Sequence, residues 1–234
     1  MFELCASILA ADFAHLARDV QAADAAGADA FHIDIMDGHF VPAISFGTGM
    51  VRTMRGLTRK PLDVHLMVET PLDFVEELAA LGVERVSVHY EIPGGPGPAL
   101  QAIRAAGMQP GLVLNPETPV EAAKPFLPQI RQLLLMTVHP GRGGQPYLPG
   151  SNARIAAASQ PVQAAPPAHS HSGGWGHHPV HHCGSPRGRC REFCFGQCGL
   201  WRPCSPECAA AAPGCHRLPA GSALRALLIH PFFW

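Results

Sequence analysis

Cysteine is nearly missing from the first 182 residues, where Cys5 stands alone, while the other seven cysteines fall between Cys183 and Cys215. Lysine stops at Lys124, and after Ala158 the only acids are Glu192 and Glu207. The larger part of the chain therefore does not suit a disulfide framework, which needs cysteines spread through the sequence it staples. No apolar run reaches the roughly 18 residues that a bilayer-spanning helix requires. The start of the chain, MFELCASILAADF, carries an acid at Glu3 and lacks the basic beginning and long apolar core of a signal peptide. These absences point to the cytoplasm and away from membranes. No basic stripe occurs in residues 1–158, and acids and bases are interspersed there, which argues against nucleic acid as a partner. What remains is a chain of 234 residues, 47% hydrophobic and of net charge −1, a size at which one (β/α)8 barrel can form one domain. Its lopsided cysteine and charge usage divides it into residues 1–158 and an atypical Cys/His/Pro-rich part, residues 159–234.

Chemistry-bearing residues first gather in residues 31–47, FHIDIMDGHFVPAISFG. His32, Asp34 and Met36 alternate with Phe31, Ile33 and Ile35, so a strand puts the first set on one face and packs the second on the other. A histidine and a carboxylate on a buried face are costly unless paired with each other or bound to a cation. An ordinary buried His–Asp hydrogen bond would meet the first condition. Residues 61–68, PLDVHLMV, then repeat the pattern, with His65 and Met67 spaced as Asp34 and Met36 are. Two imidazoles and one carboxylate suit a first-row divalent cation and leave positions open for a substrate.

Taken in order, the chain reads as six strand–helix units. The strands are expected at 4–8, 30–36, 62–68, 85–90, 111–114 and 132–138, and the helices at 11–26, 50–55, 71–81, 99–106 and 117–126, with a weak one from Ser151. Gly27 ends the first helix; Thr70 is the expected N-cap of the third, with Pro71 at its first position and Gly82 at its end. Alternation at roughly 25 residues per unit implies a parallel sheet, and two more units would finish near about residue 210. The expected fold is α/β, a (β/α)8 TIM barrel whose last two units are missing or scrambled. In such a barrel functional side chains collect at the C-terminal ends of the strands. Ser7 falls at one such end, as a functional hydroxyl or as a small residue closing the strand. The loop PGRGGQ, residues 140–145, offers backbone N–H groups that could cradle a phosphate, or is a flexible turn. Met36, Met67 and Met136 are by default core residues.

Five ordered segments closely resemble the ribulose-phosphate 3-epimerases: SILAADF (7–13), HIDIMDGHFVPAISFG (32–47), DVHLMV (63–68), GLVLNPETP (111–119) and MTVHPGRGGQ (136–145). The resemblance stops near Ala158. It implies interconversion of D-ribulose 5-phosphate and D-xylulose 5-phosphate by proton transfer at C3 through an ene-diolate, in the pentose phosphate pathway or the Calvin cycle. It further implies one divalent cation (Zn, Fe, Mn or Co) held by His32, Asp34 and His65, with Asp34 as one catalytic acid/base. Ser7, His65, Gly141, Arg142, Gly143 and Gly144 would face the substrate, and Met36, Met67 and Met136 would line the floor beneath the intermediate. The implied partner is a small sugar phosphate, with no nucleic acid or membrane, and room is left for a homo-oligomer. Two positions depart from the family pattern: His139 stands where Asn or Glu is usual, and Arg142 where Phe is usual. A decarboxylase-type phosphate barrel would want a lysine at a strand end, and Lys60 and Lys124 are poorly placed for that.

The family's last two strands carry V-D-G-G, whose Asp is the second acid/base and a fourth metal ligand, and F-V-S-G-S-A-V-F-G, whose backbone holds phosphate. Neither is written here. Gly221-Ser222-Ala223 is a weak echo of the second, without an apolar strand before it. Read one base forward, however, codons for Phe193 through Trp201 permit F-V-S-G-S-A-V-F-G, and codons for Gly173 through His177 permit V-D-G-G-I. One shift recovers both motifs in the right order, which implies a frameshift between Ala153 and His169. On this reading the tail is out of frame and poorly ordered. The competing reading is a zinc module built from Cys190, Cys194, Cys198 and the histidines at 177, 178, 181 and 182, but three-residue gaps between cysteines are a poor zinc pattern.

Overall fold

The computed structural model describes residues 4–164 and the short strands Phe193–Phe195, Trp201–Pro203 and Arg225–Leu227. Six parallel strands follow one another in sequence and in space: β1 (Cys5–Ser7), β2 (Ala30–Met36), β3 (Leu62–Met67), β4 (Arg85–His89), β5 (Gln109–Leu114) and β6 (Gln132–Leu135). Between them run α1 (Leu16–Ala25), α2 (Thr48–Leu57), α3 (Leu72–Ala80), α4 (Gly97–Ala105) and a 3-10 helix, Val120–Gln129, with α5 (Ser151–Ala164) after β6. Strands β2, β3 and β6 are buried along their whole length, as parallel strands covered on both faces must be. The result is the curled first part of a TIM barrel, as the alternation of elements implies.

The period of two sorts the strands into an outer apolar face and an inner face that is largely polar in β2, β3 and β4 and apolar where Val113 and Leu134 meet. Phe31, Ile33 and Ile35 of β2, Leu62, Val64 and Leu66 of β3 and Val86 and Val88 of β4 join helix residues such as Val51, Leu78 and Ile103 in one apolar cluster. Each such side chain contributes about 1.5–3 kcal/mol when fully buried. The inner face carries His32, Asp34, Asp63, His65, Arg85, Ser87, His89 and Gln132, all buried. Charged and polar groups are kept there only by bonding one another, and that pressure builds the site.

Several elements depart from the sequence reading for local reasons. The first helix begins later than residue 11, because Asp12 accepts from the Ala14 N–H and caps a 3-10 turn, Phe13–His15, before α1 starts. Thr70 is not the side-chain cap of α3: the N-cap is Pro71, and the Thr70 carbonyl takes the Asp73 N–H at 3.2 Å. The helix expected at 117–126 is a 3-10 segment displaced to Val120–Gln129, with Pro125 and Pro128 each removing a backbone donor. The outer edge of β6 is partly covered: β9 (Arg225–Leu227) lies parallel to it, with Leu133 opposite Ala226. Exposed strand edges are templates for whatever chain can pair with them. β7 (Phe193–Phe195) and β8 (Trp201–Pro203) form a separate antiparallel pair. Cys194 falls in the backbone of β7, whereas the four clustered histidines, Cys190, Cys198 and Gly221-Ser222-Ala223 lie outside the described residues. No described helix is long and apolar enough to cross a membrane.

Candidate active site

The pairing register puts Asp34 of β2 opposite His65 of β3, Met36 opposite Met67, and His32 opposite both Ser7 of β1 and Asp63 of β3. Beyond β2 the chain turns at Gly38, which has φ +77. Asp37 secures that turn: its carboxylate accepts from the N–H groups of His39 and Phe40 and, across the barrel mouth, from that of Glu69. Ser45 folds the same loop back, donating to the Asp34 carbonyl and accepting from the Met36 N–H. The strand ends are thereby fixed before any ligand is considered.

On the inner face, one nitrogen from each imidazole and one Asp34 carboxylate oxygen all lie within 4.8 Å of one another. Asp63 is ionised, its carboxyl opposed by burial but held low by the Arg85 charge and by His32. It sits 3.0 Å from His32 Nδ1, so that nitrogen donates and Nε2 is the one turned toward Asp34. His32 Nε2 is buried, makes no hydrogen bond and lies 3.3 Å from Asp34 Oδ1. His65 Nδ1 approaches the same oxygen at 3.2 Å, and the Ser7 hydroxyl donates to Asp34 Oδ2 at 3.2 Å. A nitrogen and a carboxylate oxygen this close hold together only by sharing a positive charge, a proton or a cation, so the unpartnered Nε2 and the oxygen beside it fit a divalent cation.

The electrostatics agree. Burial opposes charge on His32, but Asp34 and Asp63 outweigh it and hold its pKa well above the usual value. Burial likewise opposes the Asp34 anion, and the charge and proximity of His32 above all overcome it, holding its carboxyl far below the usual carboxylate range. Cys5, His32 and Asp63 form a second cluster of similar tightness. That one does not suit a cation: burial pushes the Cys5 thiol up, and Arg85 already brings positive charge beside Asp63 at 4.0 Å.

The methionines divide. Met36 and Met67 pack together with Val41, whereas Met136 belongs to a different apolar group with Val113, Leu134 and Val138. Gly141 is buried with φ +98, and a Cβ there would come within 2.9 Å of Val41 Cβ, so the glycine loop rests on the Met36–Met67 group. Arg142 and Gly143 are exposed and Gly144 is half-buried; the Arg142 carbonyl accepts from the Gln145 side chain at 3.0 Å. His139, where the family pattern is broken, forms an exposed pair with Glu117.

Two buried groups at the heart of the site, Asp63 and His89, and the half-buried Glu91 went unremarked in the sequence. Asp63 stands two residues before His65 and shares its face. His89 repeats the inner-face alternation of Arg85 and Ser87 in β4, the signal that could have found it. Its Nε2 is 2.8 Å from His65 Nε2, and burial pushes its pKa down to about 4 despite the nearby Glu91.

Comparison with known proteins places the chain in a family. A model of the Ribulose-phosphate 3 epimerase family matches residues 3–171, running past the point near Ala158 where the motifs stop. The ribulose-phosphate 3-epimerase of Chlamydia trachomatis is 40% identical over 157 residues, 67% of this chain and 67% of that one. Its counterpart from Synechocystis is 44% identical over 156 residues, 66% of this chain and 68% of that one. The Bacillus subtilis enzyme of the same name is 43% identical over 148 residues, 63% of this chain and 68% of that one. The chain belongs to the Ribulose-phosphate 3 epimerase family, enzymes of the isomerase class.

Proposed function

We propose that this chain carries the site of a metal-dependent epimerase that interconverts D-ribulose 5-phosphate and D-xylulose 5-phosphate. The observation that carries the reading is the convergence of His32 Nε2 and His65 Nδ1 on one oxygen of Asp34. These residues would hold one divalent cation (Zn, Fe, Mn or Co), which when bound supplies Lewis-acid stabilisation of the negative charge that develops on the substrate oxygens. Asp34, ionised and steadied by the Ser7 hydroxyl, takes the C3 proton on its side of the sugar and returns it in the reverse direction. The Met36–Met67 group offers a polarisable, unionisable wall beside the developing charge. Ser7 and the loop of Gly141, Arg142, Gly143 and Gly144 would face the sugar phosphate, backbone N–H groups meeting the anion.

Inversion at C3 needs a second acid on the opposite face of the ene-diolate. In the written sequence the V-D-G-G motif that would supply it is absent, and this favours a second reading: a barrel that binds metal or phosphate without turnover. On either reading residues 1–158 form the barrel units and 159–234 an out-of-frame tail. Incubating the metal-loaded chain with ribulose 5-phosphate in deuterated water separates the two. Deuterium at C3 with xylulose 5-phosphate formed supports the epimerase; deuterium without epimerisation marks a half-complete site, and neither marks a binding module.

A further inference from the structure

Glu91 and His89 lie outside every motif assigned above, yet their hydrogen bonds end on His65. Glu91 Oε1 is already engaged, accepting the Asn115 backbone N–H at 2.9 Å and the Thr118 hydroxyl. Its other oxygen, Oε2, is 3.2 Å from His89 Nδ1. An ionised carboxylate can only accept, so His89 carries its proton on Nδ1 and turns a bare Nε2 inward. That atom is 2.8 Å from His65 Nε2. Two bare nitrogens would repel at this distance, so the proton lies on His65 Nε2, leaving Nδ1 bare toward Asp34. Asp34 on its own would draw the His65 proton onto Nδ1 and close the pocket. The relay from Glu91 opposes that preference. His89 is fully buried, with the Phe40 ring 4.6 Å away, which keeps water from replacing either partner.

We propose that Glu91 and His89 are positioning residues that hold His65 as its Nε2–H tautomer through two successive N–H donations, so that Nδ1 faces the cation pocket. The effect on metal binding rests on the reading of His32, Asp34 and His65 as the metal site; the tautomer itself is a property of the metal-free protein.

The test is Glu91→Gln in the full chain. Because the Asn115 N–H and the Thr118 hydroxyl keep the amide oxygen, the amide nitrogen must face His89 Nδ1 as a donor. His89 then takes its proton on Nε2 and donates to His65, whose own proton moves to Nδ1. Long-range ¹H–¹⁵N spectra of the histidines in metal-free protein should show His65 as Nε2–H in the wild type and as Nδ1–H in Glu91→Gln. Titration with Co²⁺ should show an affinity lowered about 10–100-fold in the variant, the usual effect of losing an orienting partner. His89→Gln, whose side-chain oxygen can still accept from His65, should keep the wild-type tautomer, and His89→Leu should lose it. An unchanged His65 tautomer in Glu91→Gln overturns the relay. A wild type that binds no Co²⁺ yet shows the tautomer shift supports the relay and overturns the metal reading instead.

Discussion

His32→Ala or His65→Ala removes one of three metal donors, so each variant should lose bound divalent metal. Elemental analysis of purified protein checks this, and unchanged metal content in both variants would reject the site. Asp34→Asn keeps the side chain's size while removing the base, and C3 deuterium exchange should fall by about 10²–10⁴-fold. Undiminished exchange would remove Asp34 from the mechanism. At this scale the sequence was legible wherever alternation on a strand met a chemically distinctive pair. His32, Asp34 and His65 could be placed on one face because β2 and β3 are regular and in register. Asp63 and His89 obey the same alternation, but their roles depend on which neighbour each meets across the sheet. His32 faces Asp63 directly opposite, whereas His89 reaches His65 through side-chain length, not register. Such pairings are three-dimensional facts that period alone does not contain.

Among the elements, the six strands were easier to read than what joins them. The period of two is set by one face packing on the helices and the other turning to the site, whereas helix starts depend on single capping bonds such as Asp12 to the Ala14 N–H. Two glycines carry element-scale predictions. In β5 a Cβ on Gly111 would meet Ser87 Oγ of β4 at 2.2 Å and the Ser87 backbone Cα at 3.3 Å. Gly111→Ala should therefore destabilise the sheet by about 1–3 kcal/mol, and adding Ser87→Gly should recover part of it. Denaturant unfolding of the single and double variants decides the matter. Gly141→Ala combines a strained positive φ with a close contact to Val41. The loop should shift off the Met36–Met67 group, raising KM for ribulose 5-phosphate with little change in thermal stability. An unaltered KM would separate this loop from substrate binding.

For the whole molecule, closure is the open question the sequence itself raises. Among the described residues β1 pairs with β2 alone, and β6 is covered over three residues by β9. A barrel gains its stability by leaving no such edge, and its second half should bring the second acid and the phosphate-binding backbone. The fold of residues 1–158 was readable because six units repeat one pattern and five motifs fall at strand ends. The tail was not, because its composition carries no period to read. We propose that a reading frame shifted between codons 153 and 169 is the cause. The most direct measurement is turnover of ribulose 5-phosphate by the chain as written and by the same chain with one base corrected in that interval. The corrected chain should epimerise at least about 10²-fold faster, as the recovery of a general acid requires. Equal turnover by the two chains would contradict the account and oblige the written tail to supply both the missing strands and the missing acid.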